Sequence, residues 1–126
     1  MKIESYRDLK VWQTSMDLAS EIYRLTSDFP SDERFGLTAQ LRRAAVSVAS
    51  NIGEGHGRTH RGDYLRHVSI ARGSTIEIEV QLAIAERLSY INADELATAR
   101  DQCDAICRML TNLKRSLTKK PGDHQL

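Results

Sequence analysis

The sequence has few of the residues that punctuate β-structure. Only two prolines and seven glycines occur among its 126 residues, whereas a β-sandwich or β-barrel needs turn residues about every 8 to 12 positions. Aromatic residues make up only 6% of the chain, which gives little support to a surface that stacks the bases of a single strand. These scarcities favour an all-helical protein.

The sequence also lacks long apolar runs and a cysteine framework. No stretch approaches the roughly 18 apolar residues of a membrane-spanning helix, and the segment MKIESYRDLK lacks the apolar core of a signal peptide. We therefore expect a cytoplasmic protein without a membrane association. Cys103 and Cys107 lie four residues apart in a helical pattern, which predicts buried thiols on one helix face. A zinc pair is the alternative, but no second ligand pair has metal-site spacing.

What the sequence does contain is four apolar series with the period of an α-helix. Steps of three and four residues place each series on one helix face. The series are Val11, Ser15, Leu18, Ile22, Leu25 and Phe29; Leu37, Leu41, Ala44 or Ala45, Val48 and Ile52; Tyr64, Val68, Ala71, Thr75, Ile78, Leu82 and Ala85; and Leu96, Ala99, Cys103, Ile106, Leu110, Leu113 and Leu117. We predict one domain over residues 1–120, an all-α up-and-down four-helix bundle, and a disordered tail over residues 121–126.

Capping and breaking residues predict where the helices begin and end. Proline disfavours the helical conformation in the residue before it, glycine commonly follows a helix end, and Asn or Thr caps a helix start. The first helix is predicted to begin near Asp8 and to end before Phe29. The second is predicted to have Thr38 as its N-cap and to end at Gly53, Gly55 and Gly57, with a loop that runs to about Thr59. A capping box of Asn92 and Glu95 is predicted to open the fourth helix, and Pro121 to end it.

The net charge of +1 conceals an uneven distribution along the chain. Residues 1–33 carry −3 and residues 73–126 carry −1, whereas residues 34–72 hold seven arginines against Glu54 and Asp63, for +5. The planar guanidinium group suits phosphate because it donates two parallel hydrogen bonds. The candidate nucleic-acid-binding residues are Arg42, Arg43, Arg58, Arg61, Arg66 and Arg72. The alternative is that these arginines are solvated or pair with acidic residues of neighbouring helices.

No motif in the sequence supports catalysis. The glycines around Glu54 lack the Lys-Ser/Thr of a Walker loop and the preceding strand of a Rossmann loop. His56, His60 and His67 could form a metal or acid–base cluster with Glu54 and Asp63, but no HExxH pair occurs, and solvated loop histidines are favoured. No nucleophile elbow surrounds any serine. We predict a protein that is not an enzyme and that has no metal or cofactor.

Several longer motifs lie in order along the chain. They are Tyr6-Arg7-Asp8-Leu9-Lys10-Val11-Trp12-Gln13, Gly36-Leu37-Thr38, Gln40-Leu41-Arg42-Arg43-Ala44-Ala45-Val46-Ser47-Val48, Asn51-Ile52-Gly53-Glu54-Gly55, Ile70-Ala71, Gly73-Ser74, and Glu77 with Glu79. In this order they resemble the four-helix bundle protein family first noted as open reading frames inside intervening sequences of bacterial 23S rRNA. The resemblance covers nearly the whole chain.

The resemblance implies a four-helix subunit that assembles as a homopentamer and has no established enzymatic activity. It extends to the accessory protein of diversity-generating retroelements, whose members form a basic pentameric barrel proposed to engage nucleic acid and a reverse transcriptase. The expected partners are therefore further copies of the chain, RNA or another nucleic acid, and a protein such as a reverse transcriptase. The alternative is a structural or protein-interaction scaffold without a nucleic-acid ligand.

The resemblance also draws attention to Asn51, Glu54 and Gly55 as a structural motif. Buried polar side chains need hydrogen-bond partners, so we expect Asn51 and Glu54 to hold the turn between the second and third helices, with Arg58 or Arg43 as the partner. Gly53 stands where the family usually has alanine, which predicts a looser last turn of the second helix.

Overall fold

The computed structural model describes residues 2–119 as a bundle of four α-helices. Helix α1 spans Lys10–Thr26, α2 spans Leu37–His56, α3 spans Arg61–Arg87 and α4 spans Ala93–Thr118, with single 3₁₀ turns at Tyr6–Asp8 and Ser31–Glu33. No strand occurs among these residues. The prediction of an all-helical bundle is confirmed. The tail predicted over residues 121–126, and the helix end predicted at Pro121, lie outside the described residues.

The four apolar series pack together as the core. Every residue of these series is buried or partly buried, and the fully buried ones include Leu18, Ile22, Leu41, Ile52, Ile78, Leu82, Ile106 and Leu110. Two polar members of the series are satisfied within their own helices: the Ser15 hydroxyl donates to the Val11 carbonyl at 2.7 Å and the Thr75 hydroxyl to the Ala71 carbonyl at 2.8 Å. A hydroxyl that donates to a carbonyl of its own helix has a hydrogen-bond partner, so it can be buried among apolar side chains.

Each helix packs antiparallel against its neighbours. The contacting pairs are α1 with α2, α2 with α3, α3 with α4, and α4 with α1. Hydrogen bonds fix the direction of α2 against α3, because Gln40 contacts Gln81 near one end and His56 contacts Tyr64 near the other. The direction of α4 against α3 follows from two contacts, because Glu79 pairs with Asp104 while the earlier Arg72 lies beside the later Arg108 and Arg115. The bundle end that holds the start of α3 therefore also holds the end of α2 and the end of α4.

Two predicted helix starts have different outcomes. The capping box of α4 is confirmed: the Asn92 side chain accepts from the Glu95 amide at 2.8 Å, and the Glu95 carboxylate accepts from the Asn92 amide at 3.0 Å. The prediction of Thr38 as N-cap is wrong, because Thr38 is buried inside α2 and Gly36 precedes the helix. The Glu33 carboxylate accepts from the Leu37 amide at 3.1 Å instead, which satisfies a free amide at the helix start.

Helix α2 passes through the glycines that were predicted to end it. It continues through Gly53 and Gly55 to His56, and the short loop before Arg61 contains Thr59, as predicted. Gly55 is buried against α3, where an added Cβ would lie 2.8 Å from the His67 Cβ. The glycine is therefore required by close helix packing rather than by a turn. At Gly53 an added Cβ would lie 3.5 Å from the Tyr6 ring, an ordinary contact.

Both cysteines are free thiols, as predicted. Cys103 is buried and Cys107 is half-buried on the same face of α4. Burial raises the pKa of Cys103 to about 12, and burial also raises the pKa of Cys107. Because the thiolate is the form that reacts with disulfides and binds metals, both side chains are chemically quiet at neutral pH and serve as small apolar packing groups.

Candidate nucleic-acid interface

The antiparallel packing divides the bundle into a basic half and an acidic half. The basic half consists of residues 2–18, 47–74 and 106–119, and it carries eleven lysines and arginines against five carboxylates, a net charge of +6. The acidic half consists of residues 19–46 and 75–105, and it carries six basic residues against eleven carboxylates, a net charge of −5. The nearly neutral chain is therefore strongly polarised along the bundle axis.

The end of α4 contributes the most to the net positive charge of the basic half. Residues 106–119 contain Arg108, Lys114, Arg115 and Lys119 and no carboxylate. These residues are not among the candidates predicted from the sequence, because residues 73–126 taken together carry a net charge of −1. A separate charge count for the two halves of the α4 series would have found them. The antiparallel arrangement brings them beside the start of α3.

A groove between α3 and α4 brings three arginines together. It has a volume of about 490 Å³ and is lined by Arg72, Asp104, Cys107, Arg108, Thr111, Asn112 and Arg115. We call it the arginine groove. Arg108 and Arg115 are seven residues apart on α4, about two helical turns or 10 Å. Within residues 2–119, none of its three arginines has a carboxylate partner within 4.0 Å. The field of Arg72 also reaches Cys107, where it partly opposes the rise in pKa caused by burial.

The structure separates the six arginines that the sequence proposed as one set. Arg58, Arg61, Arg66 and Arg72 are exposed on the basic half. Arg43 is exposed too, but it lies in the acidic half beside Glu77. Four of the six candidates therefore share one end of the bundle with the arginines of α4.

Arg42 is held by α1 and is only partly exposed. Its Nε donates to the Thr26 hydroxyl at 2.9 Å, its guanidinium also donates to the Tyr23 carbonyl at 3.4 Å, and it lies over the Tyr23 ring at 4.5 Å. Contacts of this kind use the planar face and the edge of the guanidinium group at once. Arg42 therefore packs α2 against α1, which leaves little of it for a ligand.

Asn51 joins α2 to α3 through His67. Its side-chain amide donates to the Ser47 carbonyl at 2.9 Å, and its Oδ1 is 2.8 Å from Nδ1 of His67. Because Oδ1 is an acceptor only, Nδ1 of His67 carries the proton and donates. The expectation that this histidine is solvated in a loop is wrong, since His67 is buried in α3. The predicted partners Arg58 and Arg43 take no part in these bonds.

The other residues of the predicted motif surround this contact. The Glu54 carboxylate is 3.9 Å from Nδ1 of His67 and its side chain is 60% exposed, so it borders the contact from the solvent side. Gly55 packs against the same histidine from α2. His56 is half-buried, with Nδ1 3.2 Å from the Tyr64 hydroxyl, and His60 is exposed just before α3.

Replacing Asn51 by alanine should lower the free energy of unfolding by about 1–3 kcal/mol, because Nδ1 of the buried His67 then loses its acceptor. Nε2 of His67 is also buried without a hydrogen-bond partner among residues 2–119, so the substitution would leave both ring nitrogens of this histidine unpaired. Urea unfolding at constant pH measures the change. Ser50→Ala is the matched control, since Ser50 is exposed on the same helix and should change stability by less than about 0.5 kcal/mol. Equal effects of both substitutions would contradict a clamp through Asn51.

The described residues form no further chemical centre. Within residues 2–119, no three His, Cys, Asp or Glu side chains converge closely enough to hold a metal ion. None of the four helices combines the length and the apolar character needed to span a bilayer. The arginine groove and the basic residues around it are the surface on which the positive charge of the described residues is gathered.

Two comparisons with known proteins agree with this architecture. A family model described as "23S rRNA-intervening sequence protein" matches residues 7–112. The crystal structure of a protein with unknown function from the S23 ribosomal protein family of Bacteroides thetaiotaomicron VPI-5482 aligns with a TM-score of 0.77 and 22% identity, over 83% of this chain and 95% of that chain. At this identity the likeness concerns the fold. No curated protein matches the chain.

Proposed function

The chain belongs to the 23S rRNA-intervening sequence protein family, and from that premise we propose that it is a homo-oligomeric, non-enzymatic module that binds RNA or another nucleic acid in the cytoplasm. The observation that carries the proposal is the arginine groove, in which Arg72, Arg108 and Arg115 face one carboxylate, Asp104. A bound phosphate would remove the mutual repulsion of these arginines and accept paired hydrogen bonds from them.

The basic surface is long enough for a polymer of phosphates. Arg61 and Arg72 are eleven residues apart, about three turns, so both project from the face of α3 that adjoins α4. Lys119 lies beyond Arg115 at the end of α4. Residues 106–119 alone extend over about 20 Å of helix, whereas successive phosphates of one strand follow at about 3.4 Å along a duplex axis. A nucleic-acid backbone fits this arrangement better than a single small anion.

The experiment is a titration of labelled RNA at several salt concentrations. Each phosphate contact with a single strand contributes about −0.7 to the slope of log K against log salt. Contacts by Arg61, Arg72, Arg108, Arg115 and Lys119 should therefore give a slope of about −3.5. An absence of binding at low salt, or a slope near zero, would overturn the nucleic-acid part of the proposal.

A second candidate function is a protein-interaction scaffold without a nucleic-acid ligand. The observation that favours it is the amount of exposed apolar surface, including Val46, Val80 and Ile84, which are 44–56% exposed. The partner would be a protein, such as the reverse transcriptase implied by the resemblance, and the arginines would pair with acidic helices across subunit contacts. High salt would then dissociate the assembly. If the arginines bind nucleic acid instead, the native mass stays constant in high salt while bound RNA is released.

A further inference from the structure

A cavity separate from the arginine groove lies between α2 and α3, near the middle of the bundle. It has a volume of about 310 Å³ and is lined by Gln40, Arg43, Ala44, Ser47, Ser74 and Glu77. We call it the α2/α3 cavity. Its volume is at the lower end of the range for small-molecule sites, about 300–1,000 Å³. It shares no lining residue with the arginine groove, which lies between α3 and α4.

Two pairs of polar side chains join α2 to α3 along this cavity. The hydroxyls of Ser47 and Ser74 are 3.0 Å apart, and Nε2 of Gln81 donates to Oε1 of Gln40 at 3.2 Å. Within each helix the two polar residues are seven positions apart, about two turns or 10 Å. Because Gln40 and both serines line the cavity, it extends from one polar pair to the other.

The serine pair keeps a hydroxyl hydrogen that the protein does not use. Nδ2 of Asn51 donates to Oγ of Ser47 at 3.2 Å, so Ser47 accepts one bond from its own helix. In the bond between the two serines one hydroxyl is the donor, and the hydrogen of the other has no acceptor among residues 2–119. Each hydroxyl oxygen can accept two bonds, so an acceptor position also remains. The pair can therefore both donate to a polar ligand and accept from it.

Two opposite charges line the α2/α3 cavity without contacting each other. Arg43 is on α2 and Glu77 is on α3, and both side chains are exposed. Within residues 2–119 neither forms an ion pair at 4.0 Å or less, whereas Arg24 and Glu21 of α1 do. Neither Arg43 nor Glu77 has an oppositely charged residue three or four positions away on its own helix, which is where helical ion pairs form. Both charges are therefore available to a ligand.

We propose that the α2/α3 cavity binds a free polar α-amino acid, because its zwitterion carries both of the charges that the cavity complements. The Arg43 guanidinium would donate two parallel hydrogen bonds to the α-carboxylate, and the Glu77 carboxylate would accept from the α-ammonium group. The serine pair would hydrogen-bond to a hydroxyl or amide side chain of the ligand. The small side chain of Ala44 leaves the space between these groups open. This function goes beyond nucleic-acid binding and does not depend on it.

The presence of both charges on one small molecule distinguishes this ligand from a simple ion. A small anion bound to Arg43 would be repelled by Glu77, and a small cation bound to Glu77 would be repelled by Arg43, because one small cavity holds both residues. Both residues also belong to the acidic half, whose net charge of −5 disfavours an anion further. A zwitterion has no net charge, so it can contact both residues without this repulsion.

The test is isothermal titration calorimetry of the full chain with L-serine, L-threonine, L-asparagine and L-glutamine. At least one of these amino acids should bind with a Kd below about 1 mM. Two derivatives of that amino acid then test the two charges. The N-acetyl derivative lacks the ammonium group, and the derivative with an amide in place of the α-carboxylate lacks the negative charge. Each should bind at least about tenfold more weakly, because each loses hydrogen bonds between charged groups.

Two neutral variants test which residue recognises which charge. Arg43→Gln and Glu77→Gln should each weaken the binding of the amino acid by about tenfold or more, and the fold should be retained because both side chains are exposed. Glu77→Gln should weaken the binding of the N-acetyl derivative much less, since the group that Glu77 recognises is already absent. Arg34→Gln and Asp94→Asn, at exposed positions outside the cavity, are the matched controls and should change the affinity by no more than about twofold.

The outcomes separate this inference from the proposed function. If none of the four amino acids binds with a Kd below about 1 mM, the inference is overturned, while RNA binding by the arginine groove is unaffected. Equal affinities of the wild type and both cavity variants overturn the location of the site. The double variant Arg108→Glu and Arg115→Glu should retain the affinity for the amino acid while it loses affinity for RNA. If it loses both, the amino acid binds in the arginine groove and the α2/α3 cavity is not its site.

Discussion

Replacing Arg108 and Arg115 together by glutamate should lower the affinity for labelled RNA by at least about a hundredfold at low salt. Each lost charge-assisted hydrogen bond to phosphate is worth about 1.5–3 kcal/mol, and about 1.4 kcal/mol corresponds to a tenfold change in affinity. The slope of log K against log salt should also become shallower by about 1.4, since two phosphate contacts disappear. Both arginines line the arginine groove and neither has a carboxylate partner within residues 2–119, so the fold should be retained.

The control for this prediction is the same change of charge in the acidic half. Arg34 and Arg87 are both exposed there, and the double substitution Arg34→Glu and Arg87→Glu alters the net charge by the same amount. It should reduce RNA affinity far less than the groove variant. If both pairs weaken binding equally, the protein responds to net charge alone, and the arginine groove is not the binding site.

Replacing Gly55 by alanine should lower the free energy of unfolding by about 1–3 kcal/mol, the usual cost of overpacking. The added Cβ would lie 2.8 Å from the His67 Cβ and 3.1 Å from the Tyr64 ring, so α2 and α3 would have to move apart. Thermal and urea unfolding measure the change. Comparing the variant with the wild-type chain at one fixed protein concentration holds constant any contribution that an assembly makes to the measured stability.

Gly53→Ala is the matched control for Gly55→Ala and should have the opposite sign. Its Cβ would lie 3.5 Å from the Tyr6 ring, an ordinary contact, and alanine is favoured over glycine within a helix by about 1 kcal/mol. We therefore expect Gly53→Ala to stabilise the subunit by somewhat less than that amount. If both substitutions destabilise the subunit, close packing at Gly55 is not the explanation. That outcome would instead indicate that α2 ends near Gly53 and needs the flexibility of its glycines there.

The predictions that the structure contradicts have a common physical origin. The sequence predicts a helix end at Gly55, a cap at Thr38 and a solvated His67, because local patterns describe what a residue prefers in its own segment. In the structure the requirement comes from a neighbour instead. The contact with His67 demands a glycine at 55, and the Glu33 carboxylate takes the role of the cap at Leu37. Asn51 was correctly selected as a polar residue near the end of α2, but its contact is on α3.

Helical periodicity and the Asn92 capping box act within one segment, so they are enough to predict a helical bundle, the positions of its four apolar faces and the start of α4. Which charges share a surface depends instead on how the helices pack against one another. Arg72 lies 36 positions before Arg108 in the sequence, yet the antiparallel packing of α3 and α4 places both in one groove. Charge acts through space, so the order of residues along the chain leaves its distribution undetermined until the helices are packed.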